Sequence, residues 1–109
     1  MTERSERPWG TYDVLLDAEN YKVKTITVSP GQRLGYQRHQ HRAEHWFVVA
    51  GEDIIILDGA EQKVRAGDSV DIKRAMAHRI SNTGAVDLTF VEVQTGTYFG
   101  EDRHRTPRR

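Results

Sequence analysis

Three histidines fall within seven residues of one another, in the run Gln37-Arg38-His39-Gln40-His41-Arg42-Ala43-Glu44-His45-Trp46, and a carboxylate, Glu44, lies among them. Imidazole nitrogen combined with carboxylate and amide oxygen suits Zn, Mn, Fe(II), Ni or Co. The chain has no cysteine, so thiolate coordination and a disulfide framework are both excluded. Any metal must be held by His and oxygen ligands. His78, in Ala75-Met76-Ala77-His78-Arg79-Ile80-Ser81-Asn82, is a further candidate.

Such a cluster acts only if the backbone aims it at one point. Strand side chains at i and i+2 share a face, so Gln37 and His39 point one way, and His41 with them if the strand continues that far. After a short turn, Glu44, Trp46 and Val48 share a face of the next strand. The rest of the chain reads the same way. Period-2 alternation recurs in short β-favouring runs, punctuated at Pro30-Gly31, Gly51-Glu52-Asp53, Asp58-Gly59, Ala66-Gly67-Asp68 and Asn82-Thr83-Gly84. No long amphipathic helix intervenes. The expectation is an all-β antiparallel sandwich or small barrel with strands near 12–16, 21–29, 33–39, 44–50, 52–58, 61–66, 69–72, 78–82 and 86–94.

The 109 residues fit one domain, 1–109, with a core of about 8–102 and polar tails. The tails at 1–7 and 103–109 are charged, with Arg103, Arg105, Arg108 and Arg109 crowding the second. Sixteen basic and sixteen acidic side chains cancel, which argues against a nucleic-acid partner. No segment approaches a membrane span, and the first seven residues lack the apolar core of a secretory signal. No membrane partner and a cytoplasmic location are expected.

The motifs are similar to those of the cupins, small β-barrels with two signatures. Glu44 is followed by six residues and Gly51, and counting back sets His39 and Gln37 at the usual His-x-His positions. The second signature is matched by Gly67, His78 and Asn82, with Lys73 and Ala75 at its usual Pro and Gly positions. Arg7-Pro8-Trp9-Gly10, His39-x-His41-Arg42-Ala43-Glu44-His45-Trp46 and Glu92-Val93-Gln94-Thr95-Gly96-Thr97-Tyr98 narrow the match. They resemble the isomerase half of bifunctional mannose-1-phosphate guanylyltransferase/mannose-6-phosphate isomerase, from about Arg7 to Asp102. The Gly-rich nucleotidyltransferase signature is absent, so guanylyl transfer is not expected.

The resemblance implies a cupin β-barrel holding one divalent metal ion, Zn first. Type I phosphomannose isomerases use Gln-x-His, a Glu and a later His. Carried over, that gives Gln37, His39, Glu44 and His78; the alternative replaces Gln37 by His41. It also implies aldose–ketose isomerisation of a sugar or sugar phosphate, mannose 6-phosphate first, with charge developing on sugar oxygens beside the metal. His41, His45 and Glu101 are candidate catalytic groups. Arg42, Arg79 and Lys24 lead the candidates for a phosphate, with Lys22 and Arg38 behind them. A homodimer is expected, with Tyr21 to Val28 as a candidate edge strand. Another cupin enzyme, a dioxygenase or epimerase, and a non-catalytic sugar- or metal-binding module are the competing readings.

Overall fold

A computed structural model describes residues 3–97. Nine strands form two sheets: β1 (Glu3–Arg7), β2 (Gly10–Asp17), β3 (Tyr21–Val28), β4 (Arg42–Ala50), β5 (Glu52–Leu57), β6 (Ala60–Arg65), β7 (Ser69–Ile72), β8 (His78–Ser81) and β9 (Leu88–Gly96). The larger sheet runs β1-β2-β3-β9-β4-β7 and the smaller β6-β5-β8, and the strands pair antiparallel among the described residues. No described residue is helical, and none of the described segments is a helix long and apolar enough to cross a membrane.

Alternation decides which side chains the barrel encloses. On β4, Arg42, Glu44, Trp46 and Val48 are buried, whereas His45, Phe47 and Val49 are exposed. On β9 the buried set is Leu88, Phe90, Glu92 and Gln94. The apolar members meet Ile26, Val28, Ile55, Val64, Val70, Ile72 and Ile80 in one core. Gly51 closes the bend between β4 and β5 at φ +90°, where a Cβ would lie 2.6 Å from the Asp87 carbonyl oxygen. Only glycine tolerates both demands.

Three expectations are corrected. Residues 3–7 are not part of a tail but form β1, which pairs with β2 from Arg7↔Gly10 to Glu3↔Val14. Tyr21 to Val28 is not an edge: β3 is hydrogen-bonded to β2 on one side and β9 on the other. The segment 33–39 is not a strand. It touches β8 through two isolated bridges, Arg33↔Ser81 and Gln37↔His78. Four steps along one segment then face three along the other, and that extra residue breaks a continuous ladder. The second charged tail, 103–109, lies outside the described residues.

The turn before His78 departs from the cupin pattern in sequence but keeps a left-handed residue where the pattern has Gly. Ala75 sits there at φ +65°, at a cost of about 1 kcal/mol relative to glycine. Its N–H donates to the His39 carbonyl at 2.8 Å, and its own carbonyl accepts from Arg38 Nη1 at 2.7 Å. The turn thereby ties the two His-bearing segments together.

Candidate metal centre

The large sheet carries a polarity gradient along the barrel axis. Across its inner face, Tyr12 pairs with Ile26, Ile26 with Phe90 and Phe90 with Val48, an almost wholly apolar row. The next row, Val14–Lys24–Glu92–Trp46–Val70, has charge at its centre. The one after, Lys22–Gln94–Glu44–Ile72, is polar but for its last member. A cavity of about 350 Å³ runs across these rows: Tyr12 and Ile26 line its apolar part, and Gln37, Glu44, His78 and Glu92 its polar part.

The bridge Gln37↔His78 pins the irregular segment to β8 through Gln37 N–H to His78 O at 2.9 Å and the reverse bond at 2.8 Å. This brings His39 and His78 to opposite sides of Glu44. His39 Nε2 is 3.7 Å from Glu44 Oε2, and His78 Nε2 is 3.8 Å from Glu44 Oε1. All three residues are buried. Ligands on one Zn at 2.0–2.2 Å stand roughly 3.4 Å apart, so these side chains, whose ligand atoms lie within 4.8 Å of one another, fit an ion once the widest gap closes by up to about 1.4 Å. Gln37 Oε1 is 3.1 Å from His39 Nε2 and belongs to the same cluster.

Arg42 reaches two of these donors. Its Nε donates to Glu44 Oε2 at 2.8 Å, and its Nη2 lies 3.0 Å from His39 Nε2. An ion would share Glu44 and His39 with this guanidinium, so taking one up requires Arg42 to withdraw along the cavity.

A second carboxyl completes the site. Glu92 is buried beside Glu44, and the Trp46 indole N–H donates to Glu44 Oε1 at 3.0 Å and to Glu92 Oε2 at 3.1 Å. Gln94 Nε2 donates to Glu92 Oε1 at 2.8 Å. Burial pushes Glu92 well above the usual carboxylate range, and the charge of Glu44 and the hydrogen bond to it push the same way, against Lys24 and Arg42. Burial would also raise Glu44. The hydrogen bond from Glu92 and the charges of His78, Arg42 and His39 outweigh it and hold Glu44 down at about 2. Two carboxyls in one dry pocket cannot both ionise freely, so they share one proton, held on Glu92. Trp46 also forms the floor, with Phe90 at 4.5 Å between ring centroids and His78 edge-on at 5.6 Å.

The structure therefore gathers Gln37, Glu44, His78, Arg42 and Lys24 around one cavity, with His39 packed behind the lining against Gln37, Arg42 and Glu44. It does not bring His41 or His45 there. His41 is exposed. His45 lies on the outer face, where its Nδ1 is 2.6 Å from Asp71 Oδ1. The His45 placement follows from alternation, which sends the neighbour of an inward Glu44 outward, while His41 lies in the bend that precedes β4. Arg79 lines the cavity with its guanidinium over the Tyr36 ring, 5.6 Å from the centroid. Glu101 lies outside the described residues, as do Tyr98 and Asp102. Sequence reasoning missed Glu92 as a site residue. Its signal was available: Leu88, Phe90, Glu92 and Gln94 are one alternating set, so a carboxylate continues a core face.

Known proteins with this fold and sequence can now be set beside the geometry. The fold resembles a cupin-2 domain from Rhodospirillum rubrum, with a TM-score of 0.80, 18% identity and coverage of 91% of this chain and 72% of that one. It also resembles a double-stranded β-helix protein from Klebsiella pneumoniae, with a TM-score of 0.75, 27% identity and coverage of 81% and 77%. The chain is an antiparallel cupin barrel. In sequence it is 45% identical over 96 residues to the alginate biosynthesis protein AlgA of Pseudomonas aeruginosa. It is 44% identical over 96 residues to a mannose-1-phosphate guanylyltransferase of Salmonella montevideo. Each match covers 88% of this chain and 20% of the relative, so the chain spans about a fifth of their length. Residues 1–105 match the family described as Mannose-6-phosphate isomerase C-terminal, and the chain belongs to that family.

Proposed function

We propose that this cupin is a metal-dependent aldose–ketose isomerase acting on a sugar phosphate, with mannose 6-phosphate and fructose 6-phosphate as the first pair to test. The observation that carries the reading is the buried pair Glu44–Glu92 beside two convergent imidazoles, at the polar end of a cavity sized for one small ligand. Gln37, His39, Glu44 and His78 are the residues that would hold a divalent ion, Zn first. Such an ion would supply Lewis-acid polarisation of the sugar oxygens.

Isomerisation moves one proton between adjacent carbons. Glu92 lines the cavity beside the candidate ligands. With a cation held at Glu44, the proton the two carboxyls share would leave to solvent, and the freed Glu92 carboxylate is the group to take the substrate proton as it leaves C2 and to return it at C1. Trp46 and Gln94 fix both oxygens of Glu92, which sets the direction of transfer. The Trp46–Phe90 floor excludes water from below. A homodimer belongs to the same reading, with the mass in solution at micromolar concentration as its test.

The experiment is solvent-proton exchange at C2 in deuterated water, run with and without a chelator. Exchange and interconversion, both lost with the metal, are expected. Metal-loaded protein that neither exchanges nor converts the sugar would overturn the reading. A non-catalytic sugar-binding cupin is the second reading, and the engagement of Arg42 with Glu44 and His39 favours it. Elemental analysis separates the two, because an Arg42-locked cluster would carry no stoichiometric metal.

A further inference from the structure

The mouth of the cavity holds two cations that nothing has yet explained. Lys24 Nζ lies 4.6 Å from the Tyr12 ring centroid, and the Arg7 guanidinium carbon lies 5.1 Å from it. Arg7 Nη2 also donates to the Tyr12 hydroxyl at 3.1 Å. All three residues line the cavity that borders the His39–Glu44–His78 cluster.

Neighbouring cations of the same sheet are neutralised. Arg4 pairs with Asp13 at 3.1 Å, and Lys22 lies 4.0 Å from Asp17. Among the described residues, neither Arg7 nor Lys24 is in an ion pair within 4.0 Å: the Tyr12 ring and hydroxyl and the Glu6 carbonyl orient Arg7, and the ring orients Lys24, whose charge also acts on Glu92 across the sheet. Two like charges drawn to one ring repel each other unless an anion sits between them. We propose that Arg7 and Lys24, gathered on Tyr12 at the cavity mouth, form the subsite for the phosphate of a sugar phosphate.

The placement suits that role. Lys24 lies directly across from Glu92 on the adjacent strand, and Glu92 across from Trp46 on the next. From β4 through β9 and β3 to β2 is three strand spacings, about 14 Å between backbones, and side chains from both ends reach back across it. A sugar with its reacting carbons at Glu44 and Glu92 would extend its far end toward Lys24 and Arg7. A guanidinium can grip phosphate oxygens in pairs, and an ammonium adds a point charge. Arg42 and Arg79, the earlier candidates for the phosphate, are engaged elsewhere: Arg42 with Glu44 and His39, Arg79 over Tyr36.

This subsite rests on the sugar-phosphate reading, and the test keeps the two apart. Trp9 and Trp46, the chain's two tryptophans, both line the cavity, so binding is read by intrinsic fluorescence at constant ionic strength. The probes are mannose 6-phosphate, mannose and inorganic phosphate. The variants are Arg7→Met and Lys24→Met, checked for an unchanged melting temperature. Arg7→Gln and Lys24→Gln stand in if methionine perturbs folding. Each single change should weaken mannose 6-phosphate and inorganic phosphate about tenfold and leave mannose unchanged, as expected of a charged contact worth about 1.4 kcal/mol. Binding of mannose 6-phosphate that is indifferent to both changes would overturn the subsite while sparing the substrate reading. Inorganic phosphate bound and lost in the variants, with no affinity for the sugar phosphate, would keep the subsite and overturn the substrate. If neither phosphate compound binds, the subsite is overturned. Equal losses for mannose and mannose 6-phosphate would also overturn it, by assigning the two cations to the scaffold.

Discussion

The two ends of the barrel interior are built by the same strands and filled with opposite chemistry. Leu88 and Phe90 on β9 and Val48 on β4 are fully enclosed in an apolar core. Two and four residues beyond Phe90, on the same face of the same strand, stand Glu92 and Gln94, equally enclosed. Alternation selects the inner face, and only position along the strand separates the part that holds the barrel together from the part that lines the candidate metal centre. Polar groups are buried at one end at a cost that the other end offsets, because an unpaired buried charge is expensive and a buried ring is favourable.

The comparison breaks most directly at the apolar end. Phe90→Ala should cost about 3–5 kcal/mol in chemical denaturation, since it removes a fully buried ring that supports Trp46. Glu92→Gln attacks the other end. It should lower isomerisation at least about 100-fold with metal content retained and little change in melting temperature. A matching loss of stability would place Glu92 in the scaffold.

Asp53 sharpens the contrast, because it is a carboxyl buried on β5 away from the His cluster. Its Oδ1 accepts the N–H groups of Ile54 and Thr83, and burial, outweighing those bonds, raises it to about 6. Glu52, Lys63, Arg65 and Asp68 line the same hollow. The unfolded chain ionises near 3.9. The contribution of Asp53 is thus fully present below about pH 4 and is lost as pH rises through about 6. Asp53→Asn should therefore gain on the wild type by on the order of 2 kcal/mol between pH 4 and 7.5, measured by denaturation at each pH. A constant difference would mean the carboxyl is not held protonated. The smallest effect is expected at the turn before His78. Ala75→Gly should stabilise by about 1 kcal/mol in thermal unfolding by relieving the left-handed alanine.

Much of the site was legible because period-2 patterning and motif spacing act locally. Alternation put Gln37 and His39 on one face and Glu44 on the next strand. The family resemblance implied Gln37, His39, Glu44 and His78 as a set, with His41 as the alternative to Gln37, and in the structure the four side chains of that set lie together. What failed depended on pairing. Glu3–Arg7 reads as solvated charge, yet the two-residue link Pro8-Trp9 folds it back onto β2. The break in the ladder at 33–39 arises from a one-residue mismatch against β8, which no single segment reveals. His41 and His45 resembled catalytic groups by composition, but the odd-numbered offset of His45 from Glu44 turned it outward, and His41 fell in the bend before β4. Glu92 went unassigned because it is separated in sequence from the histidines that it joins in space.

The charged strand β1 has a consequence for how copies of this chain meet in concentrated solution. Among the described residues it pairs on one side only, leaving a row of backbone donors and acceptors open at the rim of the large sheet. Such a rim is a template for another chain to extend into a fibril. Along it the sequence sets Arg4, Glu6 and Arg7 around a single serine. An incoming strand would have to strip water from these charges, so the hairpin that carries Arg7 to the cavity also guards the barrel against aggregation.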